Sequence, residues 1–180
     1  MPSAFSFSGR TYGYLTLDGT QAYSGGSGSS QLTVFNTFEL ETGSTFTLSS
    51  AAGGDLNLLG DFLDQNTSAG MFIPNGRTVK FQGGGTTQTV SKAGSSAESF
   101  FDVFISETAG GKVQLLSPLT INGQLNLSTA DSLIELNAKT LTLNGTIIGS
   151  GNLKGDLLGA TLNVGGTGVT LEILEPATIL

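Results

Sequence analysis

Apolar and polar residues alternate along the chain in many short segments, and this period of two predicts β-strands rather than helices. Typical runs are Leu15–Leu17, Leu119–Ile121 and Leu141–Leu143, and the residue between two apolar positions is usually Thr, Asn or Gln. Most runs end near Gly, Asn, Asp or Ser. Helical spacing is scarce, and even the segment 95–104, which lacks Gly and Pro, ends in β-favouring residues. The pattern predicts an all-β fold.

Asn-Gly steps separate several of these runs, and they test whether the chain reverses or turns a corner. A two-residue hairpin loop at Asn122-Gly123 would place Ile121 opposite Gln124, which pairs an apolar residue with a polar one on the same face. A three-residue loop restores the phase, but such loops prefer Gly at their last position. A corner lets both flanking strands point their apolar residues at one axis, and successive layers then pair in parallel.

The corner geometry predicts a parallel β-solenoid (β-helix) for the whole chain. With layers of roughly 20–25 residues, we expect about eight coils and a rod around 40 Å long at the ~4.8 Å strand spacing. An antiparallel β-sandwich or jelly roll is the alternative, and mostly antiparallel ladders would identify it. The residues predicted to point inward include Leu15, Leu17, Phe46, Leu48, Val113, Leu115, Leu119, Ile121, Leu125, Leu127, Leu141, Leu143, Leu162 and Val164.

Similar segments recur further along the chain. Leu15–Gly19 corresponds to Val79–Gly83 at an offset of 64 residues, and Leu56–Gly60 corresponds to Leu119–Gly123 at an offset of 63. These matches predict one all-β repeat domain over 1–180. Its internal repeat unit of about 65 residues would occupy about 15–75 and 79–145, with a partial third copy from about 162.

Composition narrows the chemistry that such a rod could carry. The chain has no Cys, His or Trp, which removes thiol nucleophiles, histidine bases and zinc sites built on Cys or His. Charged residues make up only 12% and the net charge is −7, so binding of nucleic acid through clustered Lys and Arg is not expected. No cofactor and no metal are predicted.

Carboxylates are the remaining candidates for chemistry. Asp61 and Asp64 could serve as a glycosidase pair or hold Ca²⁺, but their spacing lacks the alternation of a calcium loop. Glu39 and Glu41 share one strand face and could form an acidic groove beside Lys80. Solvated loop or surface positions explain all four carboxylates better, so no catalytic residue is predicted and the chain is not expected to be an enzyme.

Three tyrosines near the N-terminus are the one candidate ligand-binding group. Tyr12, Tyr14 and Tyr23 lie close to Arg10, and exposed aromatic rings beside polar groups can grip sugars. The same amphipathic rings could instead cap the open end of the solenoid, where the apolar axis would meet water. We favour the cap and keep glycan binding as the alternative.

Two parts of the chain resemble repeats of bacterial surface proteins. LSPLTINGQLNL (116–127), LIELNAKTLTLNGTIIGSGNLKG (133–155) and TLNVGG (161–166) resemble the β-solenoid repeats of very large adhesin-like proteins. LTLDGTQAYSGGSGSSQL (15–32) is similar to the passenger-associated strand repeat of autotransporters. The resemblance covers less than half of the chain. It implies a non-enzymatic passenger or stalk and transfers no catalytic residue.

These observations predict a structural or adhesive module of a bacterial surface or secreted repeat protein, located outside the cell or on its surface. The chain starts at Met1 without a secretory signal or membrane-spanning segment, so it would be a fragment or leave the cell by another route. Expected partners are neighbouring repeats or copies of itself through end-to-end strand pairing, with glycans as a further partner. The alternatives are a self-assembling fibre or virion protein and a carbohydrate-binding module.

Overall fold

The computed structural model describes residues 6–155 and 159–165, and these residues form a three-sided parallel β-solenoid. Every ladder between the described strands is parallel, which confirms the predicted fold and excludes the antiparallel sandwich or jelly roll. None of the described residues lies in a helix. This part of the chain accordingly holds no helix able to cross a membrane.

Each coil contributes one strand to each of three faces, and the strands are numbered in chain order. The first face contains β1 (Thr11–Tyr12), β4 (Leu32–Val34), β7 (Leu56–Leu58), β10 (Thr78–Phe81), β13 (Asp102–Ile105), β16 (Leu125–Leu127) and β19 (Ile147–Gly149). The second contains β2 (Leu15–Leu17), β5 (Thr37–Leu40), β8 (Asp61–Asp64), β11 (Thr87–Lys92), β14 (Lys112–Leu115), β17 (Leu133–Glu135) and β20 (Asn152–Lys154). The third contains β3 (Ala22–Ser24), β6 (Thr45–Thr47), β9 (Phe72–Ile73), β12 (Glu98–Phe100), β15 (Leu119–Ile121), β18 (Thr140–Leu143) and β21 (Thr161–Val164).

The described residues form seven coils rather than the eight that chain length predicts. Paired residues on the first face are 22 to 24 positions apart, as in Thr11 with Thr33 and Leu32 with Leu56. Such coils lie within the predicted 20–25 residues, but residues 166–180 lie outside the described part, and the rod is shorter by one layer. Seven layers at ~4.8 Å give a length of about 30 Å between the first and last strands.

The Asn-Gly steps are corners, as the phase of the flanking strands predicts. Asn122 and Gly123 lie between β15 on the third face and β16 on the first, and Asn144 and Gly145 occupy the same place one coil later. The Asn144 side-chain amide donates to Asn122 Oδ1 over 2.9 Å. A Cβ added to Gly145 would lie 1.7 Å from the Gly123 carbonyl oxygen, so the close approach of the two corners requires glycine.

The apolar axis of the rod is filled by one inward residue after another. Twelve of the fourteen residues predicted to point inward are fully buried: Leu15, Leu17, Phe46, Leu48, Val113, Leu115, Leu119, Ile121, Leu125, Leu127, Leu141 and Leu143. Leu162 is half-buried against the core, whereas Val164 is 40% exposed. The prediction for Val164 was wrong because β21 is the last described strand of its face and has a paired neighbour on one side only.

The core changes character along the rod. Its first four coils are rich in phenylalanine, with Phe38 stacked on Phe62 at 5.4 Å between ring centroids and Phe62 edge-on to Phe100 at 5.0 Å. The later coils are filled by Leu, Ile and Val such as Ile121 and Leu141. Both halves thus exclude water from one continuous axis.

The third face is interrupted once among the described strands. The strands β3, β6 and β9 form one ladder, β12, β15, β18 and β21 form another, and none joins β9 to β12. We call this place the seam. The first and second faces continue across it, and inside the rod Phe72 and Phe100 bridge it with ring centroids 5.5 Å apart.

The structural repeat of the rod is the single coil. The longer unit of about 65 residues, at about 15–75 and 79–145, concerns similarity between sequence segments, and coil geometry does not test it. It stays a prediction, as does the single domain over 1–180. Most of the partial third copy from about 162 lies outside the described residues.

Candidate functional site

The carboxylates Asp61 and Asp64 lie on opposite sides of β8 and therefore share no cleft. Asp61 points outward, where its Oδ1 accepts hydrogen bonds from the Thr89 backbone N–H over 2.7 Å and the Thr89 hydroxyl over 2.9 Å. Asp64 points inward and is completely buried. The expectation of a solvated loop was wrong for Asp64, because its strand continues the alternation set by Phe62.

The other acidic candidates remain at the surface. Glu39 lies on the outer side of β5, and its carboxylate accepts hydrogen bonds from the Thr16 hydroxyl over 3.3 Å and the Gln65 amide over 3.2 Å. Glu41 is exposed at the following corner. Lys80 pairs instead with Asp55 over 2.9 Å on the first face. In residues 6–155 and 159–165, no three carboxylates gather where they could hold a metal ion.

Asp64 belongs to a buried ionic cluster that sequence reasoning missed. Asp64 occupies the same inward position as Leu40 in the coil before and Lys92 in the coil after. Lys92 forms an ion pair with Asp64, and neither side chain is exposed. The Asp64 Oδ1 atom also accepts hydrogen bonds from the backbone N–H and side-chain amide of Asn66, over 2.9 and 2.7 Å. The cluster lies beside the seam.

Glu98, the first residue of β12, completes this cluster from the other side. Its Oε1 accepts the Ser99 N–H over 2.8 Å. Its Oε2 lies 3.8 Å from Lys92 Nζ and has no hydrogen-bond partner among the described residues. Burial raises the pKa of Glu98 from 4.5 to about 8 and outweighs the Ser99 N–H and Lys92, which lower it; the nearby Asp64 adds to the rise. Glu98 is therefore mostly protonated at neutral pH.

A second ionic network lies on the outer surface of the second face. Glu135 pairs in register with Gln114 in the coil before and Lys154 in the coil after. Its Oε2 accepts from Lys112 Nζ over 2.5 Å and from the Gln114 amide over 2.9 Å, and its Oε1 accepts from Lys154 Nζ over 3.1 Å. These hydrogen bonds, that of Lys112 first, lower the pKa of Glu135 from 4.5 to about 2.

Glu135→Gln is expected to reduce the free energy of unfolding by about 1–2 kcal/mol at pH 7, because three donors lose a charged acceptor. A lowered pKa stabilises the folded chain above pH 4.5, and that contribution disappears as the pH falls from 4.5 to about 2. The difference from wild type should therefore vanish near pH 2. Urea unfolding at pH 7 and pH 2.5 measures it, with Glu39→Gln, whose partners are neutral, as the control.

The three tyrosines separate into two environments. Tyr12 and Tyr23 are half-buried against the core, and the Tyr23 hydroxyl donates to the Asp18 carbonyl oxygen over 2.5 Å. Phe7, which sequence reasoning missed, packs against both rings at 6.3 Å and edge-on to Phe46 at 5.4 Å. Phe7, Tyr12 and Tyr23 thus cover the N-terminal end of the axis. Tyr14 is 70% exposed, and ligand binding by the tyrosines stays a prediction.

Tyr14 lies beside a corner where the first face passes into the second. The first residue after each first-face strand donates its N–H to the last residue of the strand before it in the stack, so these residues form a row along the rod. We call it the corner row. It contains Gly13, Phe35, Leu59, Gln82, Ser106, Ser128 and Ser150. The row is apolar on the second and third coils and polar from the fourth onward, and Phe35 is 50% exposed.

Comparisons with known proteins give no match: no protein family, no curated protein and no solved structure is similar to this chain. What is established of the predicted resemblance is the coarser statement, a parallel β-solenoid. The origin in an adhesin-like or autotransporter protein rests on the quoted sequence segments alone.

Proposed function

We propose that this chain is a non-enzymatic structural and adhesive module of a bacterial cell-surface or secreted repeat protein. The observation that carries the proposal is the stacking of coils of 22 to 24 residues in unbroken register on two faces. Each added coil lengthens such a rod by about 4.8 Å without changing its cross-section. This property suits a spacer that holds a contact surface away from a cell.

The outer surface of the third face supports the same role. Ser99, Thr120, Thr142 and Asn163 follow one another in register on the outer side of four successive strands. Small uncharged side chains can repeat at ~4.8 Å, whereas like charges at this spacing would repel one another. The side therefore offers hydroxyl and amide groups to the surroundings, as an extracellular spacer would.

Self-assembly into a fibre or virion is the weaker alternative. It requires a second copy to pair with the end strands and to cover the apolar axis. At the N-terminal end, however, Phe7 already fills that place and is 4% exposed. A second copy stacked there would gain little burial of apolar surface unless Phe7 moved away.

Two measurements separate these roles. Light scattering of the isolated chain should give the mass of a monomer, and filaments or large oligomers would favour the assembly role. Protease treatment of intact cells that carry the native gene, followed by immunoblotting, should remove the segment before a cytoplasmic marker. Protection of the segment until the cells are lysed would contradict the surface role. An open reading frame that continues into further coil-forming repeats would support it.

A further inference from the structure

We propose that Tyr14 and Phe35 form a stacking platform for a neutral polysaccharide, an inference that rests on the proposed role as an adhesive module. The two rings are the most exposed large apolar side chains of the described part, at 70% and 50%. They lie on adjacent coils at the corner between the first and second faces. The Phe35 N–H donates to the Tyr12 carbonyl oxygen over 2.9 Å, and the Asn36 N–H to that of Gly13 over 2.8 Å.

The corner row shows that exposed apolar residues are not required by the fold at this position. The same position holds Gln82, Ser106, Ser128 and Ser150 in later coils, with the same backbone hydrogen bond to the preceding coil. A serine therefore satisfies the local geometry. Phe35 presents a ring to water at a place where four other coils present a polar group, which marks it as a contact residue.

The surroundings of the rings fit sugar hydroxyls. Thr16 and Asn36 are exposed next to the platform, and Thr37 is half-buried beside them. Glu39 follows on the outer side of the same strand and supplies a carboxylate acceptor. A pyranose ring has one apolar face of C–H groups and a rim of hydroxyls, so it can stack on an aromatic ring while its rim bonds to these side chains.

Size and charge argue against other occupants. Two partly exposed rings offer on the order of 300 Å² at most, whereas a stable protein interface needs ~800 Å² on each partner. The net charge of −7 disfavours anionic polymers and anionic lipid surfaces. A neutral glycan needs neither a large area nor a basic patch, and two ring platforms on adjacent coils at ~4.8 Å spacing suit consecutive sugar units.

The test measures binding of the whole chain to a β-glucan, a mannan and a galactan by affinity electrophoresis, with polygalacturonate as the acidic comparison. We expect at least one neutral polymer to retard the wild type. Tyr14→Ala and Phe35→Ser should each weaken that retardation about tenfold. Ile148→Ser is the matched control, because Ile148 is 44% exposed on the last described coil and should leave binding unchanged. Circular dichroism and urea unfolding check that each variant folds.

Intrinsic fluorescence provides a second readout, because the chain has three Tyr and no Trp. Sugar stacking on Tyr14 should change the tyrosine emission, and Tyr14→Phe should keep the binding but lose most of that change. The proposal is overturned if no neutral polymer binds, if binding persists in both platform variants, or if only the acidic polymer binds. A dimer that Phe35→Ser dissociates would also overturn it, in favour of self-association. Absence from the cell surface would instead contradict the proposed function and leave this binding assay unaffected.

Discussion

Lys92→Met is expected to reduce the free energy of unfolding at pH 7 by about 3–5 kcal/mol. Asp64 would keep its hydrogen bonds from Asn66 but lose its cation, and its side chain is fully enclosed. Glu98 could not replace the lost charge because it is itself acidic. A buried carboxylate without a counter-charge must either take up a proton or remain at high cost, and both weaken the folded state. Urea unfolding followed by circular dichroism gives the difference.

The double variant Asp64→Asn with Lys92→Met is the matched control. Asn at position 64 retains an oxygen that can accept from Asn66 and removes the charge that Lys92 neutralises. We expect the double variant to recover most of the lost stability. If it is as unstable as Lys92→Met alone, the loss comes from packing of the Lys92 side chain rather than from the unpaired carboxylate. A single variant within 1 kcal/mol of wild type would contradict the importance of the pair altogether.

Glu98→Gln is expected to stabilise the protein at alkaline pH, by on the order of 4 kcal/mol at pH 9. The folded chain holds a proton on Glu98 up to about pH 8, whereas the unfolded chain releases it near pH 4.5. Raising the pH between these values therefore weakens the wild type by ~1.4 kcal/mol per unit through this group. Gln keeps the acceptor for the Ser99 N–H and cannot ionise.

The difference between the variant and wild type is the informative quantity, since other groups titrate in both. It should be close to zero near pH 4.5, grow as the pH rises to 8, and stay level above that. Unfolding in urea at pH 5, 7 and 9 measures it. A difference that is the same at all three values would show that the Glu98 carboxyl ionises normally in the folded state.

The sequence was sufficient to predict the course of the chain through the coils. The phase of Leu119–Ile121 against Leu125–Leu127 across one Asn-Gly step distinguishes a corner from a hairpin, because the side-chain period of a strand is two. The same parity places Leu15 and Leu141 in the core. The predicted number of coils was one too high, since average layer length reveals neither how long individual corners are nor where described structure ends.

The buried charges escaped prediction although a signal was present. Asp64 is in phase with Phe62 and Lys92 is in phase with Val90, so both should point inward wherever those strands continue. Charged residues are rarely buried unless paired, and that prior placed Asp64 in a solvated loop. The pairing connects residues 28 positions apart, and only the register of β8 against β11 reveals it.

The exposed platform and the end cap could not be read from the chain alone. Phe35 follows an alternating strand and looks like a continuation of the core, but the corner turns it outward. Phe7 has no strand around it and covers the axis from a turn. Both positions depend on where the chain leaves a strand, and short polar residues tolerate a corner one position earlier or later.

The seam between β9 and β12 gives the rod a mechanical direction. Across it, two walls are joined by continuous hydrogen-bonded ladders and the third only by the contact of Phe72 with Phe100. Bending that opens the third face stretches no ladder at this level, whereas bending toward either other face must strain one. We therefore expect anisotropic flexural stiffness, so that a tether built in this way would yield under load toward one side and hold its shape toward the other two.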